Sequence, residues 1–375
     1  MARLGDIATY INGYAFKPTD WSNKGVPIIR IQDLTGNSYQ ANRYDGNYDM
    51  KYEVNSGDVL ISWSASLGVY IWTGEKAVLN QHIFKVQFDK AEVDKSFFVH
   101  QVECILNKAT GETHGATMKH LTKPVFDALS FYLPNIEEQK QIANELNMVS
   151  DLISLRKQQL SKLDELVKSR FIELFGDPET NPYGWEKVTV GDVCSSIVRG
   201  PFGSALKKEF FVEPNETTYK VYEQKHAIQK SATIGTYYVT AEKFGELRRF
   251  ECVAGDILMS CSGTMGELYQ LPEGCEKGLI NQALCKFTLN ERILPIVFLT
   301  YMKQTIGNLE TKGSGIQNIA AVSYVKAMPI NLAPMEVQKQ FANFVEQTDK
   351  SKFEIQKSLE KLETLKKALM QKYFG

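Results

Sequence analysis

Leu133-Pro134-Asn135-Ile136-Glu137-Glu138-Gln139-Lys140-Gln141-Ile142-Ala143-Asn144 is echoed by Leu332-Ala333-Pro334-Met335-Glu336-Val337-Gln338-Lys339-Gln340-Phe341-Ala342-Asn343. The offset between the copies is 199 residues (332 less 133), and it runs without a gap to Phe175-Gly176 and Phe374-Gly375. Each copy starts with a proline and acidic residues, accumulates lysines later and closes on glycine, which is the order of a helix start and stop. Alternating steps of four and three run through Ile142, Leu146, Val149, Ile153, Arg156, Leu160, Leu163, Val167, Arg170 and Leu174. The second copy repeats the pattern through Phe341, Val345, Thr348, Lys352, Ile355, Leu359, Leu362, Lys366, Leu369 and Tyr373. That is coiled-coil spacing, and the charged interruptions favour pairing of the two helices with each other over a long zipper.

Upstream of each helix, local signals repeat as well. Leu4-Gly5-Asp6-Ile7 is matched by Val190-Gly191-Asp192-Val193, and Gly57-Asp58-Val59-Leu60-Ile61-Ser62 by Gly255-Asp256-Ile257-Leu258-Met259-Ser260. The second pair reads as a turn followed by a buried strand, and Leu79-Asn80-Gln81 and Ile280-Asn281-Gln282 follow at comparable distances. Strands mixed with short helices make each globular segment α+β. Gly176-Asp177-Pro178 through Asn181-Pro182-Tyr183-Gly184-Trp185 is dense in turn formers and marks the boundary between the copies. The expected organisation is a globular domain over 1–134, a long helix over 135–176, a linker over 177–187, a second globular domain over 188–333 and a second long helix over 334–375.

The order of parts also predicts orientation. A helix of about 40 residues is about 60 Å long, whereas a domain of about 150 residues is only about 40 Å across. Parallel helices would make the second domain bridge more than its own width, so the helices are expected to run antiparallel. The predicted architecture is an internal pseudo-two-fold repeat: two globular domains, inverted and separated by two long antiparallel helices. Two reading heads with different sequences suit duplex DNA with a bipartite, asymmetric site.

Composition bounds the rest. A chain of 375 residues with 43% hydrophobic content suits two cores. The absence of an apolar run of about 18 residues and the start Met1-Ala2-Arg3-Leu4 predict a cytoplasmic protein. Cys104, Cys194, Cys252, Cys261, Cys275 and Cys285 form no C-x-x-C pair and are expected to be reduced thiols. A net charge of −1 means that any DNA-binding basic residues must be focused on one face, or that partners supply charge. Catalysis has little to stand on. Asn181-Pro182-Tyr183 lacks the second proline of an amino-methyltransferase element, no phosphate loop is present, and His82, His100, His114, His120 and His226 are dispersed. No catalytic or metal-binding residue is expected.

These repeated helix starts, the Lys-Leu-x-x-Leu helix bodies, the Phe-Gly ends and the Gly-Asp turns resemble the specificity subunits of Type I restriction-modification systems. Gly115-Ala116-Thr117-Met118-Lys119-His120-Leu121, Gly200-Pro201-Phe202-Gly203-Ser204 and Gly313-Ser314-Gly315-Ile316-Gln317-Asn318-Ile319 add to the resemblance. It implies a non-catalytic chain with two target-recognition domains that selects the DNA site. It further implies two modification subunits that bind S-adenosylmethionine and methylate adenine, and restriction subunits that use ATP and magnesium. No cofactor is expected on this chain itself.

Candidates for DNA contact are basic and polar residues in turns: Arg30, Gln32, Lys119 and His120 in the first domain, and Arg199, Lys207, Lys208, Lys225, Arg248, Arg249, Gln317 and Asn318 in the second. Arg248-Arg249 stands out because guanidinium groups give bidentate donors. Each position is equally compatible with a solvated surface charge. Trp63 and Trp72 are expected in the core. Candidate docking residues for the partner subunits are Glu137, Gln139, Lys140, Glu336, Gln338 and Lys339. A coiled-coil interaction scaffold with two ligand-binding domains and no nucleic-acid role stays open, favoured by the near-neutral charge.

Overall fold

Helix-start chemistry sets the longest elements. The Asn135 side chain accepts a hydrogen bond from the Glu138 amide at 2.9 Å, and acidic Glu137 and Glu138 lie in the first turn, so the orphan amides and the dipole at that end are both met. The computed structural model describes residues 1–36, 42–111, 122–177, 180–201, 203–311 and 321–375. The two long helices run Ile136–Phe175 and Met335–Phe374, 40 residues each. The first ends where Gly176 adopts φ +77°, a conformation that costs glycine nothing.

The chain divides into two compact units, residues 1–158 with 355–375, and residues 159–354. The division falls inside both long helices, so each unit is a globular portion plus half of each helix. In the first unit the halves run antiparallel: Lys157 pairs with Glu363 at 3.2 Å, and the Tyr373 hydroxyl donates to Glu145 at 2.7 Å. In the second unit Lys352 pairs with Asp164 at 2.7 Å, and the Phe171 and Phe341 rings lie 5.4 Å apart. Lys352 interrupts the apolar seam and Asp164 on the facing helix compensates it.

Both units carry the same sheets. A four-stranded antiparallel sheet has the order Thr9–Asn12, Ile83–Gln87, Val59–Ser62, Gly68–Ile71 in the first unit, and Cys194–Arg199, Leu284–Leu289, Ile257–Ser260, Leu268–Gln270 in the second. A second sheet has the order Arg43–Tyr44, Val26–Ile29, Ala77–Leu79, Glu53–Val54, answered by Tyr238–Val239, Tyr219–Tyr222, Gly278–Ile280, Glu251–Cys252. Its central pair is parallel in both units, Ile29 opposite Leu79 and Tyr222 opposite Ile280. A two-stranded ribbon, Ala2–Arg3 with Ser130–Phe131 or Glu186–Thr189 with Pro329–Leu332, completes each set.

The packing has two levels. The antiparallel sheet, the helices Lys95–Gly111 or Pro295–Thr311 and the long helices share one core per unit; Phe97, Phe131 and Leu146 are buried in the first, Phe171, Phe298 and Phe341 in the second. The second sheet packs smaller clusters of its own, around Ile29 and Leu79 or around Tyr222 and Ile280. Trp63 packs against the main core of its unit and Trp72 against the smaller cluster. Among the described residues the cysteines are free thiols, and no helix is long and apolar enough to cross a membrane.

Candidate nucleic-acid interface

The repeated Gly-Asp turns build the frame. Gly57 and Gly255 sit at φ +90° and +89°. The Asp58 carboxylate then accepts from the Asn55 amide at 2.9 Å, and Asp256 from the Val253 amide at 3.0 Å. Each carboxylate also pairs with a lysine on the neighbouring strand, Lys85 at 3.2 Å and Lys286 at 3.4 Å. A second frame position was only half seen from sequence, where Gly200 was singled out without its counterpart Gly13: the two occupy equivalent sites against the carbonyls of Asn80 and Asn281, so close that a side chain has no room. The Ile-Asn-Gly and Val-Arg-Gly contexts differ, which hid the equivalence.

On this frame most of the described basic candidates fall on or beside the second sheet. Arg30 and Gln32 belong to the turn Ile31–Leu34 and its cap, directly after strand Val26–Ile29. Lys225 stands at the position equivalent to Gln32, in Gln224–Ile228 after Tyr219–Tyr222. Lys207 and Lys208 are exposed beside a short 3-10 turn whose Phe210 ring lies 4.2 Å under the Lys243 ammonium. Arg248 and Arg249 are exposed just ahead of edge strand Glu251–Cys252. Acidic neighbours hold several of these cations: Glu223 lies 2.6 Å from Lys225, Glu209 3.6 Å from Lys207 and Glu251 3.7 Å from Arg248. The near-neutral total is the balance of 43 Lys and Arg against 44 Asp and Glu, and part of that acidic charge stands beside these cations.

Three placements correct the reading from sequence. Arg199 lies opposite Cys285, and so shares the sheet face of that core residue; it is half-buried rather than presented to solvent. Arg30 is drawn inward by Asp33 at 3.7 Å and by the Trp21 ring at 5.6 Å, leaving its side chain 16% exposed. Gln139 and Gln338 are only 1% exposed and are not docking residues. Gln139 accepts from the Asp94 amide at 2.9 Å and donates to the Pro134 carbonyl at 2.9 Å; Gln338 accepts from the Leu294 amide at 2.8 Å and donates to the Arg292 and Ala333 carbonyls at 2.9 Å. An amide that satisfies buried backbone groups ties each long helix to its globular portion. Glu137, Lys140, Glu336 and Lys339 remain exposed around them. Lys119, His120, Gln317, Asn318 and the glycine turns that carry them lie outside the described residues.

A histidine replaces a carboxylate at one turn. The Arg30 amide donates to Asp33 at 2.8 Å; at the equivalent position the Glu223 amide donates to His226 Nδ1 at 2.9 Å, and His226 Nε2 donates to the Ile234 carbonyl at 2.7 Å. Burial pushes this imidazole below its ordinary range. A depressed folded-state value means that the unfolded chain binds the proton more readily, so stability is full above the ordinary value of about 6.5 and falls as pH drops below it. His100, also lowered by burial, acts with the same sign in the first unit. The urea midpoint of the second unit should therefore fall between pH 7.5 and 5, and His226→Asn should flatten that dependence. A midpoint equally sensitive to pH in both proteins would contradict this.

With this geometry in view, comparisons place the chain among known proteins. The family model described as Type I restriction modification DNA specificity domain matches residues 1–165 and 182–367. The Type I restriction enzyme EcoBI specificity subunit of Escherichia coli is 30% identical over 168 residues, which are 44% of this chain and 35% of that one. The MjaVIII specificity subunit of Methanocaldococcus jannaschii is 25% identical over 197 residues, 52% of this chain and 45% of the relative. The matches thus span less than half the length of these curated relatives. In fold, the S subunit from M. genitalium superposes with a TM-score of 0.52 at 14% identity, over 100% of this chain and 95% of that one. A chain from a structure of the type I R-M system, titled for its complex assembly and conformational transition, gives a TM-score of 0.57 at 16% identity, over 100% and 96%. The two family matches fall one on each copy of the repeat, and the chain belongs to the Type I restriction modification DNA specificity domain family.

Proposed function

We propose that this chain is the non-catalytic sequence-specificity subunit of a Type I restriction-modification complex in the cytoplasm. It recognises a bipartite, asymmetric site in double-stranded DNA and directs adenine methylation and restriction by its partners. The observation that carries the reading is one backbone frame built twice with different side chains at its exposed positions: one frame means one mode of engagement, and different side chains mean two different half-sites. Two modification subunits dock near the exposed ends Glu137 with Lys140 and Glu336 with Lys339, and restriction subunits join them. S-adenosylmethionine, ATP and magnesium belong to those partners in this reading.

Methylation-aware sequencing of host DNA tests it. Methylated adenine should appear in a motif of two unlike short sequences separated by unread spacer, and should vanish when this gene is deleted. A methylome unchanged by the deletion would overturn the reading.

A further inference from the structure

Because the two units share a frame, the positions at which they differ become informative. Gly13 and Gly200, Asp58 and Asp256, and Lys85 and Lys286 are identical pairs and hold backbone. Directly after the central parallel strand, however, Arg30-Ile31-Gln32-Asp33 is answered by Glu223-Gln224-Lys225-His226. Charge, polarity and hydrogen-bonding capacity all change there while the backbone stays the same.

In the second unit these side chains are held in place. The Ser262 hydroxyl donates to Gln224 Oε1 at 2.8 Å, and Gln224 Nε2 has no hydrogen-bond partner among the described residues. The Lys225 ammonium lies 2.6 Å from Glu223 and 5.3 Å from the Tyr237 ring centre, with the side chain 39% exposed. Behind them, His226 is fixed at both ring nitrogens by backbone groups. The hairpin turn that carries Ser262 is the same in both units, with φ +61° at Gly263 and +59° at Ala65. At the position equivalent to Gln224 the first unit carries Ile31, whose side chain has no polar group to offer.

We propose that Gln224 and Lys225, braced by Ser262 and Glu223, are base-reading residues of the second unit. The assignment rests on the DNA-recognition reading above and names part of its specificity. The chemistry matches base edges in the major groove: a glutamine amide pairs with adenine N6 and N7, and an ammonium group with guanine O6 and N7. Side chains held before binding lose less conformational freedom on contact, which favours discrimination. The Ser262 hydroxyl uses one lone pair of Gln224 Oε1, so the second lone pair and the Nε2 donors stay available for adenine N6 and N7.

The test uses the complete methyltransferase complex and duplexes that carry the wild-type methylation motif, each substituted at one base pair. Gln224→Leu and Lys225→Met should lower discrimination by about 10- to 100-fold at one or two neighbouring base pairs of a single half-site, as expected for loss of a base contact. Discrimination at the other half-site should not change. Gln224→Glu keeps an acceptor for Ser262 and should create a preference for cytosine at the affected position, a gain that a misfolded protein cannot imitate. An equal loss of affinity on every duplex would mark phosphate contacts and overturn the assignment, as would full discrimination at every base pair in the variants. If the wild-type complex itself shows no sequence preference, the DNA-recognition reading fails, and this assignment falls with it.

Discussion

A chain ending at Ala368 should lose the structure of its first unit while the globular portion of the second stays folded. Leu369, Met370, Tyr373 and Phe374 pack against the core that holds Leu4, Phe97 and Phe131, and the Phe374 ring lies 5.5 Å from that of Phe97. Lys108 also donates to the Phe374 carbonyl at 2.7 Å. Full burial of a large apolar side chain contributes about 1.5–3 kcal/mol, so four partly buried ones amount to about 4 kcal/mol or more. A loss of that size raises amide exchange by about a thousandfold. Hydrogen exchange followed by mass spectrometry should show the acceleration in peptides from 1–134 and near-normal protection in peptides from 186–300. Acceleration confined to the helix remnant would show that the C-terminal residues are dispensable to the first unit. The expected outcome has the last residues of the chain stabilising the first.

Gly200→Ala should produce a comparable loss in the second unit. An added methyl carbon there would sit 1.9 Å from the carbonyl oxygen of Asn281, and at Gly13 2.0 Å from that of Asn80. These obstacles are backbone atoms of the segment that carries the central parallel strand, so they cannot rotate away as a side chain would. Overpacking usually costs about 1–3 kcal/mol, and a backbone clash this deep belongs at or above the upper end, about 3 kcal/mol. For a unit of this size that lowers the melting temperature by about 6–12 °C. Gly245→Ala is the control, since nothing lies within 4 Å of its added carbon. It should be neutral or stabilising by about 0.5–1 kcal/mol, as expected for glycine in a helix. Equal melting of the two variants would refute the close approach. If the proposed function holds, Gly200→Ala should also weaken recognition of one half-site more than the other in the complete complex.

Much of this was legible in the sequence because it depends on near neighbours. The helix starts at Pro134 and Pro334, the seam spacing and the Gly-Asp turns are local signals: they report backbone angles, caps and one-sided burial, all set within a few residues. The duplication was legible for the same reason, since equal spacing survives wherever the structure tolerates no insertion. Even the antiparallel pairing followed from lengths alone, and it is found within each unit.

What the tertiary structure decided is where polar side chains go. Gln139 and Gln338 lie in a run that reads as an exposed helix start, yet they turn inward because backbone groups at Asp94 and Leu294, distant in sequence, need partners. Arg199 reads as a basic residue beside a flexible turn, yet its register opposite Cys285 puts it on the core face. Gln32 and Lys225 were picked independently from sequence, and only the strand pairing shows that they are one position in two copies. The physical reason is common to all three: periodicity determines which residues share a face locally, whereas the surroundings of that face depend on segments brought together by folding.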